Sequence, residues 1–133
     1  MNLQQLQEGV PSPASYHYLT DEEALTRHGI ISWTRWQQVR ETLPLPLEIG
    51  VHVPNTLDMS NGTEQLLQCP LLVLEFPSFA DGRAFSQGRQ LRQKLGFAGR
   101  LRAKGRLLLP DQIRELHYCG FDEVELLAPA APT

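Results

Sequence analysis

The sequence predicts a single small α/β domain. Its core would be a four-stranded parallel sheet in the order β-α-β-α-β-α-β, preceded by N-terminal helices. Two observations carry this. Leu71-Leu72-Val73-Leu74 is continuously apolar, the pattern of a strand covered on both faces in a parallel sheet. Strand signals also alternate with helix signals along residues 47–127, and the connections are too long for hairpins, so each must cross over. Such a sheet can lie open or curl as half of a (β/α)₈ barrel, and the sequence leaves both arrangements in play.

The elements follow in order. Residues 1–15 are polar, carry Pro11 and Pro13, and read as a flexible tail. Residues 16–46 read as a helical segment packed on the domain. Thr20 and Glu23 have the form of a capping box, which predicts a short helix over 21–28. Ser32 can cap a second helix whose Trp33, Trp36, Val39 and Leu43 share one face, a stripe that reads as core or interface. Pro44 and Pro46 end it.

Leu47, Ile49, Val51 and Val53 then alternate with Glu48, Gly50 and His52, a strand signal. Residues 63–68 suggest a short helix, and Asn61-Gly62-Thr63 a turn before it. A longer helix is expected over 82–95, with Gly96 as its stop and Arg89, Arg92 and Lys94 on a mostly basic solvated side. A short strand at 100–103 follows. Pro110 suits the first turn of a last helix, Gly120 ends that helix, and 121–127 form the final strand. Residues 128–133 read as a second tail.

With 133 residues, 41% hydrophobic and 20% charged, the chain has the composition of an ordinary soluble globular domain. A formal net charge of -3 argues against a dedicated nucleic-acid binder. No apolar run reaches the roughly 18 residues that a membrane span needs, and the N-terminus lacks the form of a signal peptide. Cys69 and Cys119 are too few for a disulfide framework, so cytoplasmic residence is expected. His17, His28, His52 and His117 lack ligand spacing, so no metal site is expected, and no recognisable cofactor motif appears.

In parallel α/β folds, ligands sit beyond the carboxyl ends of the strands. That rule selects Glu75, Asp81, Arg83 and Ser86 after the second strand, Arg102 and Lys104 on the third, and Glu125 on the fourth. Arg83 and Arg102 are expected to converge on a small oxyanion in one depression, with Ser86 beside them. The structural alternative is that Asp81 caps a helix and the arginines pair with carboxylates. Cys119, at a helix C-terminus, reads as a buried core thiol.

A succession of blocks carries a family resemblance: Asp81-Gly82-Arg83-Ala84-Phe85-Ser86, Leu91-Arg92, Gly96-Phe97, Leu101-Arg102-Ala103, Asp111-Gln112 and Cys119-Gly120-Phe121-Asp122. Together they resemble the DUF934 family of small bacterial proteins, often labelled as oxidoreductases of sulfite reduction. Family members commonly carry an acidic or amide residue just after the Arg-Ala-x-Gly turn, where this chain has Arg106. The resemblance implies a link to assimilatory sulfite reduction and supplies no catalytic residues.

The leading expectation is therefore an accessory protein that binds a small oxyanion or a sulfite reductase subunit. A redox enzyme with an unrecognised cofactor is the competing reading, weakened because side chains alone do not store the electrons required. A third is an isomerase or lyase using Glu75 and Glu125 as acid and base. Open sheet edges and the Trp33/Trp36 stripe further suggest a homo-oligomer.

Overall fold

The computed structural model describes residues 2–5, 16–42, 48–57, 64–76, 83–105 and 110–126. Among them the chain forms β1 (Asn2–Gln5), β2 (His17–Tyr18), β3 (Gly29–Ser32), α1 (Trp33–Val39) and β4 (Gly50–Val53), followed by β5 (Leu71–Phe76), α2 (Arg83–Arg89), β6 (Arg100–Gly105), α3 (Pro110–Tyr118) and β7 (Glu123–Leu126). A 3₁₀ turn at Glu64–Gln68 links β4 to β5, and α2 continues as a π-helical turn over Gln90–Lys94.

The described strands make one sheet in the order β1-β7-β6-β5-β4-β3-β2. The six from β2 to β7 are parallel neighbours in chain order, and β1 adds antiparallel to β7. This corrects the expectation of four strands. β2 and β3 escape a periodicity search because His17–Tyr18 and Gly29–Ser32 are too short to show an alternation. Segment 16–46 therefore holds two parallel strands besides α1, and Asn2–Gln5, expected within a tail, is an edge strand.

Thr20 and Glu23 do clasp one another: the Thr20 amide donates to Glu23 Oε1 at 2.9 Å and the Glu23 amide to the Thr20 carbonyl at 3.2 Å. No helix follows, and residues 21–28 run as turns and bends. Arg35, from α1, donates to the carbonyls of Thr20 and Glu23, so those acceptors serve a tertiary contact instead of a helical ladder. Ser32 caps α1 as expected, accepting from the Arg35 amide at 3.1 Å.

Side chains alternate between the two faces of every strand. Ile31, Val51, Val53, Leu72, Leu74, Leu101, Ala103 and Val124 share one buried cluster with Trp36, Leu66, Ala84, Leu91, Leu116 and Phe121. The described helices thus cover a single face. Gly96 and Gly120 close two of them in the left-handed region, at φ 73 and 94. Arg92, expected on a solvated side, instead clamps that closure. It donates to the carbonyls of Phe97, Gly99 and Gly120 at 2.7 to 2.8 Å and pairs with Asp122 at 2.6 Å.

The opposite face is concave. Six flat parallel strands would hold β2 and β7 about 24 Å apart. Yet the Tyr18 hydroxyl on β2 donates to Glu125 Oε1 on β7 at 2.7 Å. The register also sets Tyr18 level with Arg100, before β7 begins, so its reach to Glu125 shows the stagger of tilted, curling strands. The sheet is a half-barrel.

Candidate functional site

The concave wall takes the other half of the alternation. Arg100, Arg102 and Lys104 project from β6, Glu123 and Glu125 from β7, Glu75 from β5 and His52 from β4, since these residues are register partners on one face. Among the described residues, Ile30, Leu71 and Val73 form an apolar patch there, under Tyr16 and Tyr18. β6 and β7 therefore oppose a cation-apolar alternation to an anion-apolar one.

The lower layer is a buried ion network. Arg102 is 3% exposed, while Glu123 and Glu125 are both fully buried. Arg102 Nε donates to Glu123 Oε2 at 2.6 Å and its Nη1 to Glu125 Oε1 at 3.0 Å, while Arg100 takes the second Glu123 oxygen. Burial alone would lower the Arg102 pKa, but the Glu123 and Glu125 carboxylates outweigh it and keep the guanidinium charged.

The upper layer lies at the carboxyl ends of the strands. Burial, reinforced by the hydrogen bond to Glu125, raises the Tyr18 phenol pKa and keeps it a neutral donor. Its ring receives the Lys104 ammonium at 4.1 Å from the centroid and the edge of His52 at 6.3 Å between centroids. His52 Nε2 lies 3.6 Å from Glu75 Oε2, too far for a hydrogen bond, and is buried without a partner; so is Glu125 Oε2. Burial pushes the His52 imidazole below its ordinary pKa, Glu75 and Glu125 oppose that shift, and Lys104 adds to it.

The structure thus unites four expected residues, Glu75, Arg102, Lys104 and Glu125, on one wall. Arg83 and Ser86 stand elsewhere, lining a cavity of about 250 Å³ between α2 and the loop after β4, with Asn55, Thr56, Leu57, Gln87 and Gln90. Arg102 is not among its lining residues, because both ends of its guanidinium are held by carboxylates on the concave face. The expected shared depression of Arg83 and Arg102 is therefore not formed. Asp81 lies outside the described residues, as does Asn61-Gly62-Thr63.

Gln87 builds the cavity wall: its Nε2 donates to the carbonyls of Pro54 at 2.8 Å and Leu57 at 3.0 Å, pinning the β4 loop to α2. A larger cavity, about 570 Å³, opens at the amino ends of β5 and β6 beside Pro70, Arg92 and Asp122. In parallel folds that end stabilises rather than binds, and Arg92 there is committed to the Gly96 and Gly120 closures.

Residues 50–133 match the model of DUF934, a family of bacterial proteins of unknown function. The chain belongs to the DUF934 family. The match begins at β4, so the DUF934 span supplies His52, Glu75, Arg83, Ser86, Arg102, Lys104, Glu123 and Glu125, while Tyr18 comes from the preceding segment. No curated protein and no solved structure matches the chain.

Sequence reasoning missed Tyr18 and Glu123 and passed over His52 as lacking ligand spacing. The charge alternation of Arg100-Leu101-Arg102-Ala103-Lys104 against Glu123-Val124-Glu125 was the available signal for the wall. Among the described residues, no three His, Cys, Asp or Glu side chains gather as a metal site, and no helix is long and apolar enough to cross a membrane. Cys69 and Cys119 are buried free thiols, and burial raises both, Cys69 to about 12.

Proposed function

We propose that this DUF934 protein binds a small oxyanion in the Arg83–Ser86 cavity and serves assimilatory sulfite reduction as an accessory protein. One observation carries the reading. The cavity at the carboxyl end of β4 is lined by a guanidinium, two hydroxyls and three amides, and by no carboxylate among the described residues. Apart from Gln87, whose amide nitrogen is already held by the Pro54 and Leu57 carbonyls, these side chains carry hydrogen-bond donors and a positive charge, which suits sulfite, sulfate or phosphate. The link to sulfite reduction is supported by the residue blocks that run from Asp81 to Asp122, and the partner in this reading is a sulfite reductase subunit.

Calorimetric titration with sulfite, sulfate and phosphate at fixed ionic strength tests the binding. Arg83→Ala is expected to remove a charge-assisted bond of roughly 1.5–3 kcal/mol, about ten-fold or more in affinity. Equal binding by wild type and variant would end the oxyanion reading at Arg83. Co-purification with sulfite reductase subunits tests the partner. Self-association belongs to the same proposal, since β2 is an edge strand among the described residues and Trp33 is half-buried, and sedimentation showing only monomer would count against it.

A further inference from the structure

The concave wall holds a different chemistry. Glu75 and Lys104 are register partners on adjacent strands, opposite in charge and on one face. A structural ion pair would close there, yet the Lys104 ammonium lies over the Tyr18 ring, and Glu75 leans toward His52. Glu75 is 42% exposed at its side chain, so solvent reaches the carboxylate that the other members of the wall surround. Glu125, next in the same row, is fully buried and keeps Oε2 without a partner although Oε1 is doubly engaged. An ammonium held off its neighbouring carboxylate, with that carboxylate open to solvent, marks a place shaped for a ligand with an acceptor oxygen beside an acidic C–H group.

We infer that Glu75 and Lys104, backed by His52, form an acid–base site that moves a proton on a carbon beside the carbonyl of a small oxo acid. Glu75 takes the proton from that carbon as the C–H bond breaks. The bonding pair forms the C=C bond of an enolate, the carbonyl pair passes to oxygen, and the Lys104 ammonium meets the developing charge. Return of the proton from Glu75 to carbon restores an oxo acid, so atoms and electrons balance without a further reactant. His52 is a positioning residue: its Nε2 has no other partner and accepts from the Glu75 carboxyl once that group is protonated and the 3.6 Å gap closes. Glu125, held by Tyr18 and Arg102, takes no proton in this scheme.

Exchange of the methyl protons of pyruvate and the methylene protons of 2-oxobutyrate into D₂O, followed by proton NMR, is the test. Wild type is expected to exchange them faster than an unrelated protein at equal concentration. Glu75→Gln should lose about a hundred-fold with unchanged thermal unfolding, and Lys104→Met should raise the substrate concentration needed as well as slow the rate. His52→Gln should shift the pH profile of exchange, which a purely structural role would leave in place. Exchange by wild type no faster than the unrelated protein, or Glu75→Gln exchanging like wild type, overturns the inference. Neither result bears on anion binding at Arg83, which lies in a separate cavity.

Discussion

The two faces of the half-barrel are made by the same strands and obey different rules. Toward the helices, β4 to β7 present Val51, Val53, Leu72, Leu74, Leu101, Ala103 and Val124, all closed from solvent. Toward the concavity the same strands present His52, Glu75, Arg100, Arg102, Lys104, Glu123 and Glu125. Slipping any of them by one residue would drive charges under the helices, so the pattern fixes register firmly. The convex face stabilises by removing apolar area from water. The concave face gains little on that ledger, because desolvating buried ions offsets most of their attraction.

The sharpest way to break this comparison is to remove one ion from the concave wall. Arg102→Met would strand Glu123 and Glu125 as buried carboxylates and is expected to cost about 3–5 kcal/mol, read by urea unfolding. Replacing Arg100, Arg102, Glu123 and Glu125 together by Met, Met, Leu and Leu, with Tyr18→Phe, should recover most of that loss, because no member then loses a partner. A combined variant as unstable as the single one would show that the network itself holds the fold. On the convex face, Leu74→Ala should cost about 2–5 kcal/mol through lost burial and the cavity left behind, with no pH-dependent component. Gly88→Ala comes next: its Cβ would meet Phe121 Cε2 at 2.5 Å, so α2 or the buried Phe121 ring must give way, at about 1–3 kcal/mol. A Tm unchanged in Gly88→Ala would show that α2 packs loosely enough over Phe121 to admit a methyl group.

Legibility followed the same division. The convex side could be read because its signals are local: the apolar run at β5, the alternation into β4, Ser32 before α1, Pro110 opening α3, and Gly96 and Gly120 at positive φ. What escaped was set by distance. β3 becomes a strand by pairing with β4, and β2 by pairing with β3, rather than through any pattern of their own, and β1 is a polar edge recruited by β7. Arg92 looked solvated on its helix, but the carbonyls it binds belong to Phe97, Gly99 and Gly120, which a helical period does not contain. Glu75, Arg102, Lys104 and Glu125 were found by the strand-end rule, which names an end of a strand without naming the face. That is why Arg83 was grouped with Arg102 although the sheet lies between their surroundings. Tyr18 could not be found at all, since only the curl of the sheet brings it to Glu125.

The smallest effect separates the faces by charge alone. Burial holds the His52 imidazole below its ordinary value of 6.5, Glu75 and Glu125 counter this, and Lys104 reinforces it, while the Tyr18 ring packs against its edge. As pH falls, an unfolded chain takes up this proton before the folded one does. Stability should therefore decline as pH drops below 6.5, until the folded imidazole also protonates, with a slope of at most about 1.4 kcal/mol per pH unit. His52→Gln cannot take up the proton. The variant should lose less stability than wild type between about pH 7.5 and about pH 5.5, whatever its offset at the higher value. Urea unfolding of both proteins across that range measures the difference. Curves that fall in parallel would mean that His52 titrates alike folded and unfolded, and the concave wall would then be open to water at the position where the structure closes it.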